Sequence, residues 1–285
     1  MPFSLASIYH PITGHPYSHN PSYVEVEPCP ALRPYIRCFW GSPGSHTAEE
    51  LPGEELVIPD TCMDIMLTIN YTKNQLKSVF TGIDDRPFLS AGPCLGDRIA
   101  SFAIRFHFWA VPLFADESMR EAKGAYTDAD AYFTGFRREL GTLLLDTDTI
   151  GERIAAAERF LLRRLGRRRE QTAVMNAVYA ILRAKGNIAA PEIAGYAAVG
   201  ERQLQRLFAE HIGLPPKRIA LLVRYQNLWQ EILSNPHFNV QDAVERYGYA
   251  DQPHLLAEFR RFHSMNPTEA RAFAELSRPR RLPAE

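Results

Sequence analysis

The sequence lacks the features of membrane proteins, secreted proteins and most enzyme classes. No apolar run among its 285 residues approaches the ~20 residues of a transmembrane helix. Met1 to Ser7 show no basic region followed by an apolar core, so we expect no signal peptide. The four cysteines contain no CxxC pair, which favours free thiols in a reducing cytoplasm. No P-loop, GxGxxG or Ser/His/Asp order is present, and we expect no catalytic residue and no cofactor.

The sequence also lacks a metal-ligand pattern. A metal-dependent barrel enzyme needs several converging ligands, such as a His-x-His pair with a Glu and a later His. The predicted strands offer only His107, while His10, His15 and His19 lie in a proline-rich N-terminal arm. We therefore expect no metal site and no enzymatic activity. A cupin-type enzyme fused to a degenerate helical domain remains the less favoured alternative.

The cysteines leave another alternative open, a regulator that responds to thiol or metal chemistry. A sensor thiol needs exposure and a lowered pKa, which a basic neighbour or a helix N-terminus supplies. Cys38 follows Arg37, but buried and inert cysteine is the common case. The sequence does not single out a sensor among the four thiols, which are Cys29, Cys38, Cys62 and Cys94.

Charge is nearly balanced over the whole chain but not within it. The formal net charge is −1. Residues 1–162 hold 13 Lys and Arg against 21 Asp and Glu, whereas residues 163–285 hold 19 against 12, which gives −8 and +7. A basic half joined to an acidic half indicates that only the C-terminal half meets a polyanion.

The basic half contains two helix-turn-helix patterns, at residues 190–208 and 240–262. Each has a short amphipathic helix, a tight turn at Gly200 or Gly248, and a second helix with its own apolar face. A helix held along one face leaves the other free to enter a DNA major groove. The predicted inward-facing residues are Ile193, Ala197, Leu204, Leu207 and Phe208 in the first unit, and Ala243, Val244, Tyr247, Leu255, Phe259 and Phe262 in the second.

The presence of two units strengthens the prediction of DNA binding, because a single helix-turn-helix pattern is a weak signal that also occurs in plain helical bundles. Here the turns contain matched glycines, and an amphipathic helix predicted from Lys217 to Leu233 joins the units. Arg suits guanine and Gln suits adenine in bidentate base contacts. The free face of the first longer helix carries Arg202, Gln203, Gln205, Arg206 and Glu210.

Residues 171–273 resemble the DNA-binding domain of the AraC/XylS family of bacterial transcription regulators. The resemblance implies a seven-helix domain that lays two recognition helices into successive major grooves, about one helical turn apart. The matching residues are Gly200 to Phe208, Gly213-Leu214-Pro215-Pro216, Arg224, Tyr247-Gly248-Tyr249, Asp251-Gln252, His254, Phe259-Arg260-Arg261-Phe262 and Asn266 to Arg271.

Residue chemistry and this resemblance assign the DNA contacts. The family often has an Arg where Ala257 stands, a small polar residue where Pro253 stands, and a Gly where Ser264 stands. We therefore expect the first unit to carry most of the sequence specificity and the second to contribute more phosphate contact. The predicted base-reading residues are Arg202, Gln205 and Arg206, with Gln252 and His254 weaker, and the predicted backbone contacts are Gln203, Arg218, Arg260 and Arg261.

The N-terminal half is predicted to be mostly β, as a small barrel or sandwich, with strands at residues 23–27, 64–70, 78–82 and 99–106. Through residues 32–40, 58–64 and 104–106 it resembles the cupin-like sensory domain of many AraC-type regulators. The resemblance implies sensing of a small-molecule effector, or dimerisation. Aromatic side chains could line an apolar effector pocket or simply pack in the core, and they are Trp40, Phe106, Phe108 and Trp109.

Helices are predicted after this β region, at residues 129–140 and 149–165. The second carries an apolar seam that fits either its own barrel or a partner copy, formed by Ile150, Ile154, Ala157, Leu161 and Leu165. The predicted organisation is a sensory and dimerisation domain at 1–165, a linker at 166–170, the DNA-binding domain at 171–276 and a disordered tail at 277–285.

The sequence therefore predicts an α+β transcription regulator that binds double-stranded promoter DNA in the cytoplasm. The resemblance adds a small-molecule effector, a homodimer, and contact with RNA polymerase if the protein activates transcription. No membrane partner is expected.

Overall fold

In the computed structural model the coordinates describe residues 5–12, 23–47, 56–90, 96–166 and 170–276. His15, His19, Cys94, the arginine run at 167–169 and the tail at 277–285 lie outside the described residues. The described strands lie within residues 24–128 and the described α-helices within residues 136–276. The α+β class expected from the sequence is confirmed.

The N-terminal half is built on antiparallel strands. The strands among the described residues are β1 (Val24–Val26), β2 (Ile36–Gly41), β3 (His46–Thr47), β4 (Leu56–Val57), β5 (Cys62–Asn70), β6 (Gln75–Thr81), β7 (Phe88–Leu89), β8 (Arg98–His107) and β9 (Tyr126–Asp128). Seven of them form one sheet, in which six have the order β1-β2-β8-β5-β6-β9 and β3 pairs with the first residues of β8. A second sheet pairs β4 with β7.

Alternation of side chains along the strands gives the large sheet two unlike faces. Ile104 of β8 lies opposite Phe39 on one side and Ile65 on the other, and all three are buried in the apolar core. The next residue, Arg105, lies opposite Asp64, so these two charged side chains belong to the other face. One face therefore packs in the core, and the other lines a cavity.

Two helices follow the sheet, α1 (Phe136–Leu145) and α2 (Ile150–Arg164). The expected helix at 129–140 is broken, because Ala129–Ala131 form a short 3₁₀ turn and Gly135 has a φ of +77°. Further 3₁₀ turns lie at Leu5–Ser7, Val111–Leu113 and Met119–Glu121. The helix predicted at 149–165 is confirmed, and Thr149 caps it.

The C-terminal region contains seven helices among the described residues, as the resemblance implied. Asn239 and Asp251 cap the two helices of the second unit by accepting backbone N–H groups. The predicted joining helix is confirmed. The helices are α3 (Thr172–Arg183), α4 (Ala190–Ala197), α5 (Glu201–His211), α6 (Pro216–Ser234), α7 (Val240–Arg246), α8 (Gln252–His263) and α9 (Pro267–Leu276).

The two turn glycines are not equivalent, contrary to the match expected from the sequence. Gly248 has a φ of +66° just after α7. Gly200 is the N-cap of α5 with a φ of −69°, and the left-handed residue of the first turn is Ala198, at a φ of +54°. Only the second turn therefore uses the conformational freedom of glycine.

Candidate nucleic-acid interface and ligand cavity

The first unit presents α5 with one buried face and one exposed face. Leu204, Leu207 and Phe208 are buried, as the apolar spacing predicted. The opposite face exposes Arg202, Gln203, Gln205 and Arg206. Neither Arg202 nor Arg206 forms a hydrogen bond or ion pair with any residue that the structure describes. Donors held on a fixed helix without internal partners suit contact with base edges.

The far end of α5 is attached to the N-terminal half. The hydroxyl of Ser118 donates to the carbonyl of Glu210 (3.3 Å), and the Arg120 guanidinium lies 3.6 Å from the Glu210 carboxylate. The sequence placed Glu210 on the free face of this helix, but in the structure it contacts the N-terminal half of the chain. Gly213 follows, and a Cβ there would lie 2.5 Å from the carbonyl oxygen of Met119.

The second unit presents α8 in a similar way. Leu255, Phe259 and Phe262 are buried, whereas the predicted contact residues are exposed. The His254 ring contacts the turn before α8, because its Nδ1 accepts a hydrogen bond from the Ala250 backbone N–H (3.4 Å). These exposed predicted residues are Gln252, His254, Arg260 and Arg261.

A buried ion pair fixes α8 to α6. Nε and Nη2 of Arg224 donate to the Glu258 carboxylate at 3.0 and 2.5 Å, and the guanidinium lies 4.1 Å from the Tyr249 ring centre. The Tyr249 hydroxyl also donates to Glu258 (2.8 Å). This cluster joins both helices to the turn before α8. The sequence signals for it were a charged residue, Arg224, within the apolar stretch of α6, and the place of Arg224 and Tyr249 in the family resemblance.

Arg218, which the sequence predicted to contact the DNA phosphate backbone, is paired with a carboxylate of the protein in this structure. Its Nη2 lies 2.8 Å from the carboxylate of Asp85, which also pairs with Lys123 (3.2 Å). Asp85 is buried in the N-terminal half. Arg218 therefore contributes to contact between the two halves of the chain.

A cavity of about 860 Å³ lies in the N-terminal half, within the size range of small-molecule sites. Both sheets line it. Trp40 lines it, whereas Phe106, Phe108 and Trp109 do not line it and are buried. Their burial favours the core-packing alternative, and their place in an effector pocket stays a prediction. Phe106 is one residue out of phase with Arg105, so alternation along β8 turns it into the core; Phe108 and Trp109 follow the end of β8 and are buried beside it.

Charged side chains on the cavity wall were missed by the sequence analysis. Arg105 donates from Nε and Nη2 to Asp64 at 3.0 and 3.1 Å, and its Nη1 lies 3.8 Å from Asp60. The indole N–H of Trp40 donates to Asp64 at 3.3 Å. Only strand register brings Arg105 and Asp64 together, since 41 residues separate them in the chain.

Two of the described thiols, Cys38 and Cys62, lack the character of a sensor. Burial raises the pKa of the Cys38 thiol to about 12, and burial beside Asp60 raises the pKa of Cys62 well above its usual value. Cys29 is half-buried, and Cys94 lies outside the described residues. Since the thiolate is the reactive form, buried neutral thiols favour a structural role for Cys38 and Cys62.

The described residues contain neither a cluster of metal ligands nor a membrane-spanning helix. Among the described residues no three of His, Cys, Asp or Glu converge to hold a metal ion. His107 is buried and stacked on Trp109 with ring centres 4.4 Å apart, and burial lowers its pKa to about 3. No helix in the described ranges is long and apolar enough to cross a membrane.

The apolar seam of α2 is used within the chain. Ala157 and Leu161 are fully buried, and Ile150, Ile154 and Leu165 pack partly buried against the same core. This location favours the packing alternative over a dimer contact through the seam.

Comparisons with known proteins agree with this organisation. Residues 193–272 match a family model described as "Helix-turn-helix domain", and residues 24–128 match "Domain of unknown function (DUF6597)". No curated protein matches the chain.

Three solved structures are similar to parts of the chain. A transcriptional regulator with an AraC-type DNA-binding domain from Chromobacterium violaceum is 24% identical over 36% of this chain and 91% of its own, with a TM-score of 0.32. ToxT from Vibrio cholerae is 10% identical over 83% and 98%, with a TM-score of 0.39, and its form bound to an unsaturated fatty acid is 12% identical over 81% and 94%, with a TM-score of 0.36. With its paired helix-turn-helix units and the match of residues 193–272 to a helix-turn-helix domain model, the chain is a DNA-binding transcription regulator.

Proposed function

We propose that this regulator reads promoter sequence mainly through α5, while α8 mainly holds the phosphate backbone of the next groove. The observation that carries the proposal is the exposed, uncommitted set of Arg202, Gln205 and Arg206 on a helix whose other face is buried. On α8 the exposed arginines Arg260 and Arg261 suit phosphate. The buried pair of Arg224 and Glu258 supports a fixed placement of α8 on α6.

The first experiment is selection of genomic DNA fragments by the purified protein at a stated salt concentration. We expect an enriched motif with two short blocks about one helical turn apart. Salt-sensitive binding without any motif would mean that the helices hold phosphate and do not read bases. Such a result would contradict the proposal.

Two single substitutions in the protein, tested on the selected DNA site, separate the assigned roles. Arg206→Ala should weaken the binding free energy for that site by about 1–3 kcal/mol and relax the base preference at one base pair. Arg261→Ala should instead weaken all sequences alike and lower the slope of log affinity against log salt by about 1. Titration against matched and mismatched duplexes measures both effects. An unchanged base preference for Arg206→Ala would remove it from base readout.

We also propose that a small-molecule effector in the N-terminal cavity alters DNA binding. Pro59 lines the cavity, and its carbonyl accepts the side-chain amide of Gln226 on α6 (2.9 Å). The carbonyl oxygen of that amide accepts the backbone N–H of Ile12 (2.9 Å). Asp84 also lines the cavity, and its neighbour Asp85 pairs with Arg218 of α6. Two wall segments thus contact the helix that joins the recognition units.

This arrangement favours an organic effector over the thiol and metal alternatives, since the described thiols of the cavity half are buried or half-buried.

We infer further that the protein works in the cytoplasm as a homodimer, and contacts RNA polymerase if it activates transcription. Sedimentation with and without operator DNA tests the dimer, and a monomeric complex on the full site would contradict it.

A further inference from the structure

The chemistry of the cavity wall indicates which class of ligand it accepts. Arg105 is the buried cation of the described wall. Its guanidinium already binds Asp64 through two nitrogens and lies near Asp60. An incoming carboxylate or phosphate would have to displace one of these internal carboxylates. Breaking a buried pair leaves an uncompensated charge, so Arg105 is poorly placed to bind an organic anion.

Carboxylates exceed cations on this wall. Asp60 and Asp64 surround one guanidinium, and Asp84 adds a third carboxylate on the wall. Burial and the neighbouring Asp85 raise the pKa of Asp84 although Lys123 opposes the shift, so the charge of its ionised form is only partly compensated. The second wall cation, Arg86, is exposed to solvent. A bound cation would supply the charge that this wall lacks.

Aromatic rings complete the wall. Tyr23 and Trp40 lie together with ring centres 5.7 Å apart. Phe88 and Tyr126 line the same cavity with 47% and 65% of their surfaces exposed, and the Lys77 ammonium lies 5.5 Å from the Tyr126 ring centre. Aromatic faces attract organic cations and also bind their apolar groups.

We propose that the cavity binds an organic cation, an amine or ammonium group carried on an aromatic or aliphatic body, in preference to an organic anion of the same shape. This proposal rests on the effector role proposed above and specifies its chemistry. Asp84 would face the ammonium group, and the rings of Tyr23, Phe88 and Tyr126 would cover the apolar body.

The test compares three probes of similar shape on the full-length protein: phenethylamine as the cation, phenylpropionate as the anion and phenylpropanol as the neutral form. Isothermal titration calorimetry at neutral pH measures their affinities. We expect phenethylamine to bind at least tenfold more tightly than phenylpropionate, a difference of about 1.4 kcal/mol or more. Equal or tighter binding of the anion, or no saturable binding of the amine at millimolar concentration, would overturn the proposal.

A substitution of Asp84 tests whether the preference for the cation comes from the cavity wall. Asp84→Asn keeps the side-chain shape and removes one charge, so the affinity for phenethylamine should fall about tenfold while that for phenylpropanol stays the same. Asp146→Asn is the matched control, because Asp146 is exposed and lies outside the cavity lining. An amine affinity that is unchanged by Asp84→Asn, or lowered as much by Asp146→Asn, would count against the proposal.

Measuring operator affinity with and without each probe tests the ligand class and the effector role separately. If phenethylamine binds with the expected preference but leaves operator affinity unchanged, the ligand class holds and the effector role fails for this probe. If the anion is preferred and changes operator affinity, the effector role holds and the proposed class is wrong.

Discussion

At the scale of single residues, a buried histidine connects stability to pH. His263 of α8 is fully buried, its Nδ1 lies 2.7 Å from the Tyr225 hydroxyl, and its ring stacks on Phe259. Burial lowers its pKa to about 3. In the unfolded chain a histidine titrates near 6.5, so between about pH 6.5 and 3 the unfolded state binds more protons. The stability from His263 is therefore complete above pH ~6.5 and is lost as the pH falls.

We predict that His263→Asn flattens this pH dependence. Between pH 6 and pH 4 the unfolding free energy of the wild type should fall more steeply than that of the variant, by about 1.4 kcal/mol per pH unit. Urea unfolding at a series of pH values measures the slopes. His237→Asn removes an exposed histidine and serves as the control. Parallel slopes for wild type and His263→Asn would show that His263 is protonated in the folded protein.

Sequence reasoning succeeded at residues whose role depends on local spacing. Leu204 and Phe208 follow a helical period, and their burial could be predicted without knowing any distant neighbour. It left open whether Phe106 lies in the core or in a cavity, because a shift of one residue along β8 decides between the two. The contact of Arg105 with Asp64 was also out of reach, because it depends on the register of β5 against β8.

At the scale of elements, the turn between α7 and α8 is more constrained than the turn between α4 and α5. Gly248 has a positive φ, and a Cβ there would lie 2.3 Å from the side chain of Asn187. At Gly200 no atom lies within 4 Å of the added Cβ. The sequence showed two similar glycines, and only backbone conformation and the approach of Asn187 distinguish them.

We predict that Gly248→Ala lowers the free energy of unfolding by about 1–2 kcal/mol, because the left-handed conformation costs roughly that much for a residue with a Cβ and the Asn187 side chain can move aside. Gly200→Ala is the matched control. Its weaker N-cap is offset by lower entropy of the unfolded chain, so a change below about 1 kcal/mol is expected. Urea unfolding of both variants is the measurement, and equal losses would contradict the distinction between the turns.

At the scale of the whole molecule, the two halves of the chain meet through polar contacts on α5 and α6. Gln226 joins the N-terminal arm to the cavity wall, Glu210 contacts Ser118, and Arg218 pairs with Asp85. The sequence predicted none of these contacts, because each depends on how two separately patterned halves pack. Two helices make these contacts: α5, which is proposed to read bases, and α6, which joins the two helix-turn-helix units.

The pair of Arg218 and Asp85 gives the most direct test of this packing, because the sequence assigned Arg218 to DNA phosphate. We predict that Arg218→Gln and Asp85→Asn are coupled by about 1 kcal/mol in a double-mutant cycle of unfolding free energy. We also predict that Arg218→Gln leaves the salt slope of operator binding unchanged, because its partner is Asp85. Arg260→Gln, at an exposed arginine of α8, should lower that slope by about 1. If Arg218→Gln lowers the slope as Arg260→Gln does, then Arg218 leaves Asp85 for phosphate on binding, and DNA binding separates the two halves at this contact.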